Sequence, residues 1–355
     1  MAGRLLIYGA NGYTGRLVAA QAAAAGLTPI AAGRNGPAVA AVAGEIGLEH
    51  RVFGLESPVR IDAGLAGVTV VLHCAGPFED TALPMAQACL RTGAHYLDIT
   101  GELAVFQALL ALDGEARAAG VMLLPGAGLD VVPSDCLAAA LAARLPGATR
   151  LELALLPLGG ISRGTALTML RVAPRGGAEC RGGRIVATRG ARVRDVDFGR
   201  GPVRCLSLPW GDICTAHVST GIPDIVTWVA APAALVLAAR LARPLRRLIG
   251  SRVVQRGAER LIRARPAGPS PQERARGRCL LWGRASDASG RAVEVRLQTP
   301  EGYTFTALAA VALARIALEG GARPGFQTPS RLAGARFVLS LPGVETAEPW
   351  AAMAC

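Results

Sequence analysis

The residues with the clearest chemical signature lie in the first 35 positions. An apolar run, Arg4 to Tyr8, leads into Gly9-Ala10-Asn11-Gly12-Tyr13-Thr14-Gly15, and a second run ends at Gly33-Arg34-Asn35. Glycines three apart at a strand-to-helix turn permit a tight turn, let backbone N–H groups approach a pyrophosphate, and let the helix pack close to the strand. The chemistry is dinucleotide binding, with Gly9, Asn11, Gly12, Tyr13, Thr14 and Gly15 as candidate contacts. Proteins that select NAD place an acid at the end of the second strand to accept from the ribose 2′-hydroxyl. Here that place holds glycine and then Arg34, whose guanidinium matches a 2′-phosphate in charge and fork geometry. Arg34 and Asn35 therefore read as NADP contacts, with an ordinary surface arginine as the alternative.

A hydride transferred from such a cofactor needs a polarised C=N, C=O or C=C bond held against it, and a proton source. His73 ends a fourth apolar run and is followed by Cys74-Ala75-Gly76-Pro77-Phe78, where Ala75 to Phe78 form a small, rigid turn suited to passing beside the nicotinamide ribose. Asp98, Thr100 and Glu102 end a fifth run, and Asp130, Ser134 and Asp135 follow a sixth. Carboxylates converging on one cleft raise each other's pKa and can serve as acids. Asp98, Glu102, Asp130 and His73 are the candidate catalytic residues. A structural reading stands beside this one. Glu102 and Ser134 each precede an apolar helical stretch, so Ser134 suits an N-cap and Asp135 a first-turn charge. His95 and Tyr96 start a strand and read as packed.

The elements that must position these residues alternate in the N-terminal half. Strands are expected at Arg4 to Tyr8, Pro29 to Ala32, Arg51 to Phe53, Val68 to His73, His95 to Ile99 and Val121 to Leu124, with one long helix from Leu103 to Ala119. Strand-like segments then dominate, including Leu151 to Leu156, Arg192 to Val196, Val203 to Leu208 and a hairpin around Ser289-Gly290. The segment Arg263 to Arg278 reads as an exposed connection, and Thr304 to Leu318 as one helix. The expected fold class is α/β: a Rossmann-type doubly wound parallel sheet over 1–149, which 301–355 can complete. An α+β domain for substrate or dimerisation, carrying a mixed or antiparallel sheet, follows over 150–300.

Composition narrows the chemistry further. The chain has 355 residues, 51% of them hydrophobic, which suits two full cores. None of the 38 basic residues is lysine. That removes a Walker P-loop, a Schiff-base lysine and the Tyr-x-x-x-Lys pair of short-chain dehydrogenases. The net charge of +12 comes with scattered arginines and few aromatics, so nucleic acid is not an expected partner. Eight cysteines show no CxxC pair or zinc spacing and read as reduced core thiols; no metal is expected. A strand beginning within five residues of the start leaves no room for a leader, and a cytoplasmic location is expected. The apolar stretch Ile225 to Ala239, followed by Arg240, Arg243, Arg246 and Arg247, reads as a buried helix or oligomer contact, with peripheral membrane contact as the lesser alternative.

GANGYTG with AGR, then CAGPFEDTALPMAQACLRTGAHYLDITGE and GLDVVPSD, together resemble the saccharopine dehydrogenase-like oxidoreductases, a family that includes trans-acting enoyl reductases. The resemblance covers about residues 4 to 136 and is weaker in PSPQERARG and EGYTFTALAAVALA. It implies an NADP-binding Rossmann domain, a second domain covering the ligand crevice, and a homodimer. The activity it implies is NADPH-dependent reduction of a C=N or C=C bond in a small or carrier-bound metabolite. A saccharopine- or opine-type dehydrogenase and a catalytically silent NADP-binding regulator are the alternatives. In the second domain, Trp210, Asp212, His217 and Thr220 are expected to form a lid or substrate contact.

Overall fold

A computed structural model describes residues 3–172, 176–188, 190–232, 236, 251–346 and 350. The chain divides into two compact units, Met1–Val132 with Tyr303–Pro342, and Pro133–Gly302 with Gly343–Cys355.

The first unit holds a seven-stranded sheet, parallel at every pairing. Its strands are β1 (Leu5–Tyr8), β2 (Ile30–Gly33), β3 (His50–Val52), β4 (Val70–His73), β5 (His95–Asp98), β6 (Met122–Leu124) and β15 (Gly325–Phe326). The order β15-β6-β5-β4-β1-β2-β3 reverses between β1 and β4, and ligands of open α/β sheets bind at such a reversal, beyond the strands' carboxyl ends. Strands β1 and β4 are buried along their whole length, as near-continuous apolar runs in a sheet covered on both faces should be.

The expected helix from Leu103 to Ala119 is two helices, Leu103–Ala111 and Asp113–Ala119. Asp113 starts the second, and its carboxylate accepts the Phe326 N–H of β15 at 2.7 Å. The break serves a partner 213 residues away in sequence. The helix Gly302–Ile316 is the only described one that, with its extension to Gly321, has the length and apolar character of a membrane span. Phe305, Ala309, Ala310, Leu313 and Ala314 along it are fully buried.

The second unit is built on an eight-stranded sheet of order β10-β11-β12-β7-β13-β14, with β8 on β12 and β9 on β8. The strands are β7 (Arg150–Leu158), β8 (Gly177–Arg181), β9 (Arg184–Thr188), β10 (Val193–Asp197), β11 (Pro202–Ser207), β12 (Asp224–Ala230), β13 (Arg278–Ser286) and β14 (Ala292–Pro300). Only β12 and β7 run parallel, so the sheet is mixed. The sheet curls until its ends meet: Arg296 of β14 donates from Nε to the Asp197 carbonyl of β10 at 3.0 Å. Inside the curl lies a core of Val196, Phe198, Cys205, Val226, Trp228, Leu280 and Trp282. The helix Val132–Arg144 packs on this sheet, where a Cβ at Gly283 would stand 2.7 Å from Leu141 and 2.9 Å from Leu137. That contact groups the helix with the second unit, whereas the sequence reading closes the first domain at 149.

Two further expectations change. The connection Arg263 to Arg278 contains a short helix, Pro271–Arg276, opened by a capping box between Ser270 and Glu273. Ile225 to Ala230 belong to strand β12 and not to a helix; residues 233–235 and 237–247 of that stretch lie outside the described residues. The seven described cysteines are buried and free of disulfides; Cys355 lies outside them.

Candidate functional site

The glycines of the first turn are required for three different reasons. Gly9 has φ +84°, and a Cβ there would meet the Ala75 backbone nitrogen at 2.8 Å, so the β1 and β4 loops touch through it. At Gly15 a Cβ would fall 2.1 Å from the Gly9 carbonyl, so the helix cannot close on the strand with any side chain there. Gly12 differs: only the Gly9 carbonyl, at 3.2 Å, approaches its Cβ position. Gly12 is exposed and precedes helix α1 (Tyr13–Ala24), which has neither a capping side chain nor an acid in its first turn. An uncapped helix start behind an open glycine fits an anionic pyrophosphate. Tyr13 packs edge-on against Tyr303 with centroids 5.1 Å apart, Thr14 is half-buried, and Asn11 is exposed.

At the end of β2, a Cβ on Gly33 would stand 3.0 Å from Asn11 Oδ1 and 3.1 Å from Val39 Cγ2. A side chain at that position would need Asn11 and Val39 to give way slightly. Arg34, exposed, has no hydrogen bond or ion pair among the described residues. It lies close enough to Tyr8 for its charge to oppose burial and Glu56, which together push the phenol up to about 12. Asn35 is occupied differently: its Oδ1 accepts from Ala38 N at 3.2 Å and caps helix α2 (Gly36–Ile46).

The loops beyond β4, β5 and β6 bring His73, Ala75 to Phe78, Asp98, Glu102 and Asp130 into the same unit, and most of them are committed to holding it together. The Gly76–Pro77 peptide is cis. Behind it, the buried Glu102 accepts from the Phe78 and Glu79 backbone nitrogens at 3.1 and 2.9 Å. Its carboxylate thus caps helix α4 (Phe78–Thr92), and not the helix that it precedes in sequence. Asp98 is fully buried and accepts from Tyr96 Oη, Thr100 N and Gly126 N at 2.7, 3.0 and 2.9 Å. Burial outweighs these donors and raises its pKa to about 6.

His73 is also fully buried, packed beside Tyr8, Phe78 and Tyr96. The Thr81 hydroxyl points its proton at the Ala75 or Pro77 carbonyl, so His73 Nε2, 2.9 Å away, is the donor to Thr81 Oγ1. The ring is then the Nε2–H tautomer, with Nδ1 buried and unpartnered. Burial drops its pKa to about 3, so it stays neutral and holds no proton to give as an imidazolium.

Asp130 is the exception. It is half-buried and has no hydrogen-bond partner among the described residues. Burial and the nearby Glu102 charge raise its pKa to about 6. The loop carrying it is pinned by Leu129 N–H donating to Thr306 Oγ1 at 3.0 Å, and a Cβ on Gly128 would meet the same side chain at 2.9 Å. The sequence contains Thr306, but nothing local marks it as an anchor for a loop 177 residues away.

In the second unit three of the four residues read as a lid, Asp212, His217 and Thr220, are bonded within the unit, and Trp210 is half-buried. Asp212 is buried and accepts from Ser134 Oγ at 2.7 Å. Ser134 is therefore no N-cap: it lies inside its helix and reaches a residue 78 positions on. Asp135 accepts from Ser219 Oγ at 2.5 Å. His217 Nδ1 bonds the Ile222 carbonyl at 2.9 Å, and Thr220 Oγ1 the Ala216 carbonyl at 2.6 Å, closing the helix Asp212–Thr220. No group of three or more metal-ligating side chains forms among the described residues.

Residues 5–124 match the family model of the saccharopine dehydrogenase NADP binding domain. Among curated proteins, the chain is similar to trans-acting enoyl reductases of Mycobacterium leprae, 32% identical over 139 residues, and of Mycobacterium tuberculosis, 31% identical over 139 residues. Each alignment covers 37% of this chain, and the chain spans only 33% of each relative's length. Among solved structures, apo saccharopine dehydrogenase (L-Glu forming) from Saccharomyces cerevisiae aligns over 98% of this chain and 100% of its own, with TM-score 0.63 and 14% identity. That likeness concerns the fold. The turn at Gly9 to Gly15 and the strands around it thus lie in a segment, residues 5–124, that matches the saccharopine dehydrogenase NADP binding domain, in a chain whose fold is like that of saccharopine dehydrogenase.

Proposed function

We propose that the chain is an NADPH-dependent reductase acting on an activated C=C or C=N bond of a small or carrier-bound metabolite. The observation that carries this reading is at the end of β2, where Arg34, unpaired among the described residues, follows a glycine in the place that an NAD-selecting acid would take. The backbone N–H groups at the start of α1 would hold the pyrophosphate, and Arg34 the 2′-phosphate. Bound NADPH supplies the hydride.

The protein's own part is the proton. Asp130 carries it on a carboxyl oxygen, and a pKa of about 6 leaves a minor but usable protonated fraction near neutral pH. Because no hydrogen bond ties that carboxyl down, it can turn to the atom opposite the one reduced. Asp98, Glu102 and His73 act as positioning residues that shape the loops around it. The named activity of the mycobacterial relatives supports C=C over C=N.

Dissociation constants for NADPH and NADH, measured on wild type and Arg34→Ala, test the cofactor. The expected result is a preference for NADPH that falls by roughly 100-fold in the variant, the worth of a charge-assisted bidentate contact. Equal wild-type affinities would defeat the reading. Stopped-flow mixing of the NADPH complex with panels of enoyl thioesters and imines tests the reaction. Tight binding with no oxidation by either panel would leave an NADP-binding regulator.

A further inference from the structure

The second unit carries one surface that its own packing does not account for. Helix Arg252–Arg263 lies along helix Arg163–Val172, where Gln255 Nε2 donates to the Leu170 carbonyl at 3.3 Å. Two lines of exposed residues run along opposite flanks of the helix, about 140° apart round its axis. Val254 and Leu261, seven positions and so two turns apart, are 38% and 74% exposed. Arg256, Arg260 and Arg263 form the second line, all exposed, with Arg265 beyond the helix end. Met169 on the neighbouring helix adds a side chain 43% exposed.

Charge on this helix is one-sided. Between Arg252 and Arg265 five arginines face one acid, Glu259, which pairs with Arg263 at 2.6 Å. Arg256 and Arg260 have no ion pair among the described residues. Arginines thus line one flank of this helix, and leucine and valine that water does not favour line the other.

We propose that this helix is a docking surface for an anionic lipid bilayer. A helix with an apolar flank and a basic flank suits the boundary between headgroups and acyl chains, with Leu261 and Val254 entering it and the long guanidinium side chains reaching round to lipid phosphates. Nucleic acid fits less well, because no aromatic residue between Arg252 and Arg265 could stack on a base. The proposal is independent of the NADP site.

Co-sedimentation of the full chain with vesicles tests it, comparing phosphatidylcholine alone with phosphatidylcholine containing phosphatidylglycerol. Pelleting is expected with the anionic vesicles only, and is expected to weaken as salt is raised. The double variant Arg256→Gln/Arg260→Gln should reduce partitioning roughly 30-fold, from about 1 kcal/mol per charge near an anionic surface. Leu261→Glu should reduce it roughly tenfold with every arginine intact. Unchanged melting temperature and NADPH affinity would show that both variants fold. Three results overturn the proposal: no pelleting with anionic vesicles; pelleting that ignores Leu261→Glu, which is ion exchange alone; or a lipid-free dimer that Leu261→Glu dissociates, which makes the face an interface between copies.

Discussion

Buried carboxylates of the first unit's strand ends and of the second unit's sheet are held by different partners. In the first, Asp98 and Glu102 are held by backbone N–H groups and a phenol at the ends of parallel strands. In the second, Glu152 is held by Arg150 and Arg194, and Glu179 by Arg181 and Arg192. Those guanidiniums do a second job: Arg192 lies over Trp228 and Arg194 over Trp282, 5.7 and 5.0 Å from the ring centroids. Dipoles bring geometry without a full opposing charge, so burial prevails and Asp98 rises to about 6. Full charges reverse the balance: burial works against ionised Glu152, yet Arg194 and Arg150 hold its pKa below the ordinary range. The first unit spends Asp98 and Glu102 on fixing loops; in the second, Glu152 and Glu179 hold arginines over its tryptophans, while Asp135 and Asp212 bond serine hydroxyls. Asp130 does none of these.

That contrast predicts an ordered series of effects. Asp98→Ala should be the most damaging to folding, at about 4 kcal/mol by urea denaturation, because it strands two buried N–H groups and the Tyr96 hydroxyl together. Asp130→Asn should leave the urea midpoint unchanged or slightly raised, while turnover drops by roughly 100-fold or more. A comparable loss of stability there would place Asp130 with the structural acids.

Acid should then separate the two units. Folded Asp98 binds a proton between pH about 4 and 6 that the unfolded chain releases, so its contribution falls as pH rises through that window. Glu152 behaves oppositely, with stabilisation present above its unfolded pKa and lost as pH falls towards the depressed folded one. Against wild type, Asp98→Asn should remove about 2 kcal/mol of pH dependence between pH 4 and 6. Glu152→Gln should flatten the acid limb instead. His73, with a folded pKa of about 3, also costs stability below pH 6.5, but its effect cancels in these differences. Smallest of all, Arg194→Met should cost about 1 kcal/mol, since the guanidinium reaches solvent and only its stacking on Trp282 and its share of Glu152 are lost.

The parallel sheet was readable because each of its signals is local: a glycine turn, an apolar run, a residue at a strand end. The three glycines and Arg34 needed only their immediate neighbours to be interpreted. Residues serving distant partners were not readable in this way. Asp113 breaks a continuous apolar pattern to reach Phe326, Glu102 stands before one helix and caps another, and Ser134 reads as a cap yet bonds Asp212. The mixed second sheet was expected as a class, but its curl depends on contacts such as Arg296 with Asp197, 99 residues apart. The sequence offered four candidate proton donors beyond the strands; of these, Asp130 alone has no hydrogen-bond partner among the described residues.

Glu102 has one more effect, on the electrical character of the sheet's reversal between β1 and β4. Two helices begin there. Helix α4 starts with Glu79 and Asp80 and has the Glu102 carboxylate on its first amides, so its positive end is quenched. Helix α1 starts bare. Of two neighbouring helix ends, one stays attractive to anions while the other is neutralised, a polarity that favours an elongated ligand lying with its charged end on α1.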